Sequence, residues 1–148
     1  EIVELIFNKL QILTENNKEK INETLLLSDK FGKNCLQLSA ENKFDEIVFR
    51  WMFNFYEKFF KGKSVIKKIL EETNIHGFNL IHSLFGFGLT SNIKFFWNEI
   101  IKINFSIDEQ KIFLNSKGFR NRNLLCSVVT NNQNLDAIEF VWSLIEKT

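Results

Sequence analysis

The side chains with the widest chemical reach in this sequence are two histidines, His76 and His82, and two cysteines, Cys35 and Cys126. A metal site needs Cys, His or acidic ligands at short, regular spacings. His76 has no such neighbour and the cysteines lie far apart, so no metal is expected. A nucleophilic thiol needs a nearby base; both cysteines instead fall in or beside apolar runs, where a small buried thiol packs well. Gly62-Lys63-Ser64 matches the end of a phosphate-binding loop, but Glu57 stands where that loop's first glycine belongs, and no strand signal precedes it. Gly86-x-Gly88 lacks the third glycine of a dinucleotide fingerprint and follows a helical stretch, so it reads as a break between helices. Glu71-Glu72 and Asp108-Glu109 are adjacent on helices, where neighbours do not face one another as an acid/base pair would. Asn22-Glu23-Thr24 and Asn104-Phe105-Ser106 fit glycosylation sequons, as an Asn-rich chain does by chance. No enzyme activity, cofactor or small-molecule substrate is therefore expected.

Composition narrows the remaining classes. The chain has 148 residues, 17 Phe, 3 Trp and no Pro, enough apolar surface for an aromatic core without disulfides. Lys plus Arg (19) nearly balances Asp plus Glu (18), which argues against wholesale nucleic-acid or anionic-membrane binding. One local run, Lys58, Lys61, Lys63, Lys67 and Lys68, reads as a solvated face. No apolar run approaches the roughly 20 residues of a membrane helix, and the start has no leader pattern. With two separated cysteines, this implies no membrane insertion and an intracellular, cytoplasmic location.

The elements that position these residues recur. Ile47-x-Phe49-x-Trp51 returns as Ile93-x-Phe95-x-Trp97 and as Ile138-x-Phe140-x-Trp142, at spacings of 46 and 45. Glu1-Ile2-Val3 matches Glu46-Ile47-Val48, which predicts that the chain begins inside a unit and is a piece of a longer array. Gly32, Gly77 and Gly118 precede Asn34, Asn79 and Asn123. Each Asn is a predicted N-cap, since its side-chain oxygen can accept an orphan first-turn N–H; Gln37 completes a capping box, as Glu109 does for Ser106. Asp45, Ser91 and Asp136 are the predicted caps of the helices that follow. In the first of these, Phe44, Ile47, Val48, Trp51, Met52, Phe55 and Phe59 form one apolar face, and Phe49, Phe53, Tyr56 and Phe60 a second. A helix apolar on two sides is sandwiched between neighbours. Third helical stretches are predicted at 20–27, 64–72 and 106–114, each leading to a glycine turn. Strand signals are poor throughout. These features predict an all-α helical repeat solenoid.

The unit from Asp29-Lys30-Phe31-Gly32-Lys33-Asn34-Cys35-Leu36 through Ala40 to Asp45-Glu46-Ile47-Val48 resembles an ankyrin repeat, as does Asn74-Ile75-His76-Gly77-Phe78-Asn79-Leu80-Ile81-His82. The resemblance covers the whole chain. It implies a partial unit at 1–28 and repeats at 29–73, 74–115 and 116–148. It also implies that His82 is the family's structural histidine, tying the turn together. The period near 45 exceeds the family's roughly 33; Asn replaces the family's Thr, its Pro is absent, and the third turn carries extra residues around Arg120-Asn121-Arg122. HEAT or armadillo repeats, with units of about 40–47 residues, are the alternative.

Such folds present turns and inner helices to protein partners. The expected partner-binding residues are Lys30, Phe31, Lys33, Ile75, Phe78, Lys117, Phe119, Arg120 and Arg122, which mix aromatic and cationic types enriched at hot spots. Phe31, Phe78 and Phe119 can equally tuck between units. A protein-interaction module is the expected function. Nucleic-acid or acidic-partner binding by the Lys/Arg turns, and a purely structural assembly role, are the alternatives.

Overall fold

A computed structural model describes residues 2–15, 17–43, 46–59 and 63–147, with side chains except at 2–4, 6, 7, 18, 22, 58, 59, 63–65 and 119. The described residues are mostly helical and include no strand, as expected for an all-α chain. The helices are α1 (Ile2–Leu13), α2 (Lys18–Leu26), α3 (Cys35–Ala40), α4 (Glu46–Phe59), α5 (Lys63–Glu71), α6 (Leu80–Phe87), α7 (Thr90–Phe95), α8 (Lys102–Asn104), α9 (Ile107–Asn115), α10 (Leu124–Ser127) and α11 (Leu135–Lys147). A π-helical stretch, Phe96–Ile101, joins α7 to α8, and another, Val128–Asn132, extends α10.

Three asparagines start the short helices. Oδ1 of Asn34, Asn79 and Asn123 accepts the backbone N–H of Gln37, His82 and Cys126, each at 2.9 Å. Gln37 reciprocates by accepting from the Asn34 N–H at 3.2 Å, and Glu109 does the same for Ser106 at 2.9 Å. Each such cap contributes about 1 kcal/mol. The longer helices depart from expectation. Ser91 lies inside α7, which begins directly after the Gly88 break with Leu89 as an uncapped N-cap. The cap of α11 is Asn134, whose Oδ1 accepts from the Asp136 N–H at 3.0 Å, so Asp136 lies in the first turn. Asp45 lies outside the described residues.

Two rows of helices result. The helices α3, α6 and α10 pack in succession, and so do α4, α7 and α11, each helix of the first row also packing on the one of the second row that follows it. Leu36, Leu80, Ile81, Leu84, Phe85, Leu124 and Val128 fill the first row's core without exposure, and Phe49, Ile93, Phe96 and Val141 that of the second.

The face that carries Ile47 and Trp51 is not the better buried side of α4. Ile47 is 67% exposed, whereas Phe49, Phe53 and Tyr56 are buried. Phe49 and Phe53 meet Phe96 edge-on at 5.9 and 5.4 Å, because that side faces α7. The three tryptophans also sit in unlike surroundings. Trp51 is partly buried and stacks on Phe55, Trp97 is buried against Phe85, and Trp142 is 52% exposed at the free side of α11. Phe44, and the Phe59 and Phe60 side chains, lie outside the described residues.

One core position is mismatched. Asn92 has no exposure, and neither polar atom of its amide has a partner among the described residues. Its counterpart in the next long helix, 45 residues on, is the buried Ala137. An amide buried without partners costs about 1–3 kcal/mol, more than the few methyl-sized contacts Asn92→Ala gives up. Asn92→Ala should therefore raise the thermal midpoint by a few degrees, measured by circular dichroism.

Candidate interaction surface

Each short helix is preceded by a five-residue turn closed by the same pair of backbone bonds. In the first, the Asp29 N–H donates to Lys33 O and the Gly32 N–H to Asp29 O, both at 2.9 Å. In the second, Asn74 and Phe78 pair at 2.9 Å, as do Gly77 and Asn74. In the third, the Gly118 N–H donates to Arg122 O at 2.9 Å and the Asn121 N–H to Gly118 O at 3.0 Å. Asp29 Oδ1 also accepts from the Phe31 and Lys33 amides, and Asn74 Oδ1 from those of His76 and Phe78. The Lys33 amide, with that of Phe31, holds the Asp29 carboxyl below its usual pKa.

This geometry corrects the register of the third turn. Gly118 stands where Asp29 and Asn74 stand, and Asn121, at φ 60°, takes the left-handed place of Gly32 (φ 73°) and Gly77 (φ 75°). The third turn therefore carries no extra residues. Asn is the non-glycine residue best suited to that region, so the glycine shifted without the turn changing length. The reason lies one segment back: a Cβ on Gly118 would come within 2.6 Å of the His82 ring.

His82 fixes that contact. Its side chain has no exposure; Nδ1 lies 2.7 Å from Asn79 Oδ1 and Nε2 3.2 Å from Ser116 O. The ring thus ties its own helix start to the next turn. Burial pushes its pKa below 6.5, against the opposing pull of the Ser116 and Arg122 carbonyls. Gln37 holds the equivalent position one segment earlier, and its Nε2 donates to Glu72 O at 3.4 Å and Phe78 O at 3.3 Å.

The turns adjoin: the Ile75 N–H donates to Phe31 O at 3.1 Å. Along this edge Lys30 is exposed and reaches over the Phe31 ring, Phe31 is 41% exposed and stacks near His76, and Ile75 is 67% exposed. Lys117 and Arg120 are exposed, the latter at φ 57°. Lys33, Phe78 and Arg122 are less exposed and bind within the fold. Lys33 forms a 2.6 Å ion pair with Glu41, Phe78 packs edge-on against Phe87, and Arg122 donates to Thr130 at 3.2 Å. The Phe119 side chain lies outside the described residues.

The thiol of Cys35 is partly buried, 3.1 Å from the Tyr56 hydroxyl, which donates to Leu25 O. Burial raises the pKa of both groups, so they stay neutral and pack rather than react. Cys126 is exposed. Among the described residues no group of three His, Cys, Asp or Glu could hold a metal ion, and no helix is long and apolar enough to cross a membrane. Of the lysine run, the side chains of Lys58, Lys61 and Lys63 lie outside the described residues, while Lys67 and Lys68 are exposed. Sequence reasoning missed the exposed apolar residues at the ends of the first row, Leu38 and Val129; comparing aligned positions among the three segments is the signal that finds them. No protein family, no curated protein and no solved structure matches the chain.

Proposed function

We infer that the chain is a divergent, long-unit ankyrin-like stack and serves as a non-enzymatic module that binds a protein partner through its turns. The observation that carries this reading is the recurrence of one turn design three times along an edge, with consecutive turns bonded through Ile75 and Phe31. Rigid adjacent turns hold Lys30, Phe31 and Ile75 outward with little entropy left to lose on binding. An aromatic and an aliphatic anchor beside cations suits a protein surface carrying carboxylates. A turn ahead of each short helix favours an ankyrin-like unit, which carries a β-turn before its helix pair, over HEAT or armadillo units of two or three helices.

The test is capture by the immobilised chain, compared with a Phe31→Ala/Ile75→Ala/Arg120→Glu variant. Loss of bound protein by about tenfold or more, equivalent to about 1.4 kcal/mol, with unchanged thermal unfolding, is expected. Unchanged capture would remove the turn edge from the binding surface. Bound material that is nucleic acid and leaves steeply with rising salt would instead support phosphate contacts by Lys30, Lys117 and Arg120.

A further inference from the structure

The first and last segments each leave uncovered the side that an interior segment buries. Ile81, His82 and Phe85 of α6 have no exposure because the third segment packs over them. Their counterparts 44 residues on, Leu125, Cys126 and Val129, are half-buried, exposed and 48% exposed. With Arg122 and Thr130 they line an open groove. At the other end, Ser127 lies under Gly86 and is 1% exposed, and Ser83 is fully buried, whereas their counterpart Leu38 is 46% exposed. Leu27, next to the Ser28 that bridges to Asn34 ahead of α3, is also exposed, and so is Asp29, whose counterpart Asn74 is buried against Gly32.

Within the chain the groove side of each segment meets the opposite side of the next, so the two open ends are of kinds that already pack together. Their chemistry is matched as well. Apolar Leu125 and Val129 would face apolar Leu27 and Leu38, and the cation of Arg122 would face Asp29, held ionised by its turn amides.

We propose that copies of this chain stack end to end, the α10 groove of one copy receiving the α3 side and first turn of the next. The contact is made by Leu27, Asp29 and Leu38 of the first segment rather than by the outward Lys30, Phe31 and Ile75, so it does not depend on what those bind. A head-to-tail contact leaves each added copy with an open end unless the stack closes into a ring, so assemblies larger than a dimer form as the concentration rises.

Sedimentation velocity over a wide concentration range tests this on the whole chain. The mass should rise beyond the dimer with concentration. Val129→Glu blocks one end and Leu38→Glu the other, so each variant alone should remain monomeric. Mixed in equal amounts they should form a dimer and nothing larger, since each supplies the intact end that the other lacks. Melting curves like that of the unaltered chain qualify the variants, and Thr130→Glu replaces Val129→Glu if that does not fold. A monomer at every concentration overturns the proposal. So does a Leu38→Glu variant that still associates by itself, which would mean pairing through the groove alone.

Discussion

Gly88→Ala is expected to destabilise the protein by the upper end of the ~1–3 kcal/mol typical of overpacking or somewhat beyond it. A Cβ at that position would come within 2.5 Å of Leu84 O, 2.7 Å of Ala40 O and 2.8 Å of Leu84 Cδ1. Two of those atoms are backbone oxygens from two different helices, so no rotamer change relieves the contact. Gly88 also donates its N–H to Leu84 O at 2.7 Å and accepts from Asn132 Nδ2 at 2.9 Å. It is where the end of α3, the end of α6 and the third segment converge. Moving its backbone to admit a methyl group would disturb all three. For a chain of this size about 3 kcal/mol corresponds to a fall of roughly 6–12 °C in the thermal midpoint. Urea unfolding should show a lower midpoint with an unchanged slope. Gly86→Ala is the control: its Cβ would find its nearest neighbour, Asn131 Nδ2, at an ordinary 3.4 Å. A midpoint for Gly88→Ala within a degree of the unaltered chain would show that the segments do not meet there so closely.

Gly88 illustrates what the sequence made legible. The Gly86-x-Gly88 pair marks a break between helices, and Gly88 does cap α6. That the second glycine is required by a close approach to Ala40 depends on how two helices pack, which no local pattern records. The asparagine caps were readable because capping is local, needing one side-chain oxygen three residues before its donor. Two of the caps expected for the second row fall elsewhere: α7 begins directly after Gly88 and Leu89, ahead of Ser91, and Asn134 rather than Asp136 caps α11. The third turn misled for a related reason. Gly118 was matched to the other turn glycines by residue type, whereas backbone φ assigns that role to Asn121. The tryptophans lie in α4, in the π-helical continuation of α7 and in α11, yet their burial differs because it depends on whether a neighbour lies on each side. Of the surface, the exposure of Lys30 and Ile75 followed from turn position, while the engagement of Lys33 by Glu41 across eight residues did not.

The largest coupled effect is expected between His82 and Gly118. Gly118→Ala alone forces a methyl group into an imidazole held at both nitrogens, with contacts of 2.6 and 2.9 Å. It should cost about 1–3 kcal/mol. His82→Ala alone empties a fully buried site and releases Ser116 O, at a cost of about 2–4 kcal/mol. With the ring gone the three atoms nearest to the methyl group added by Gly118→Ala are removed, so the double variant should be no less stable than His82→Ala. The coupling energy should then fall within the roughly 0.5–3 kcal/mol typical of residues in contact. His82→Gln adds a second reading, because Gln37 already makes the equivalent tie with an amide; it should cost less than His82→Ala. The pH dependence follows from the sign of the shift. Burial lowers the His82 pKa below 6.5 in the folded chain, so the unfolded chain takes up the proton first. Stability contributed by the neutral ring is present in full above pH 6.5 and declines as the pH falls through and below it. Melting curves across that range should slope for the unaltered chain and flatten for His82→Gln. Additive costs in the double-mutant cycle, together with an equal slope in His82→Gln, would mean that the ring does not bear on the third turn.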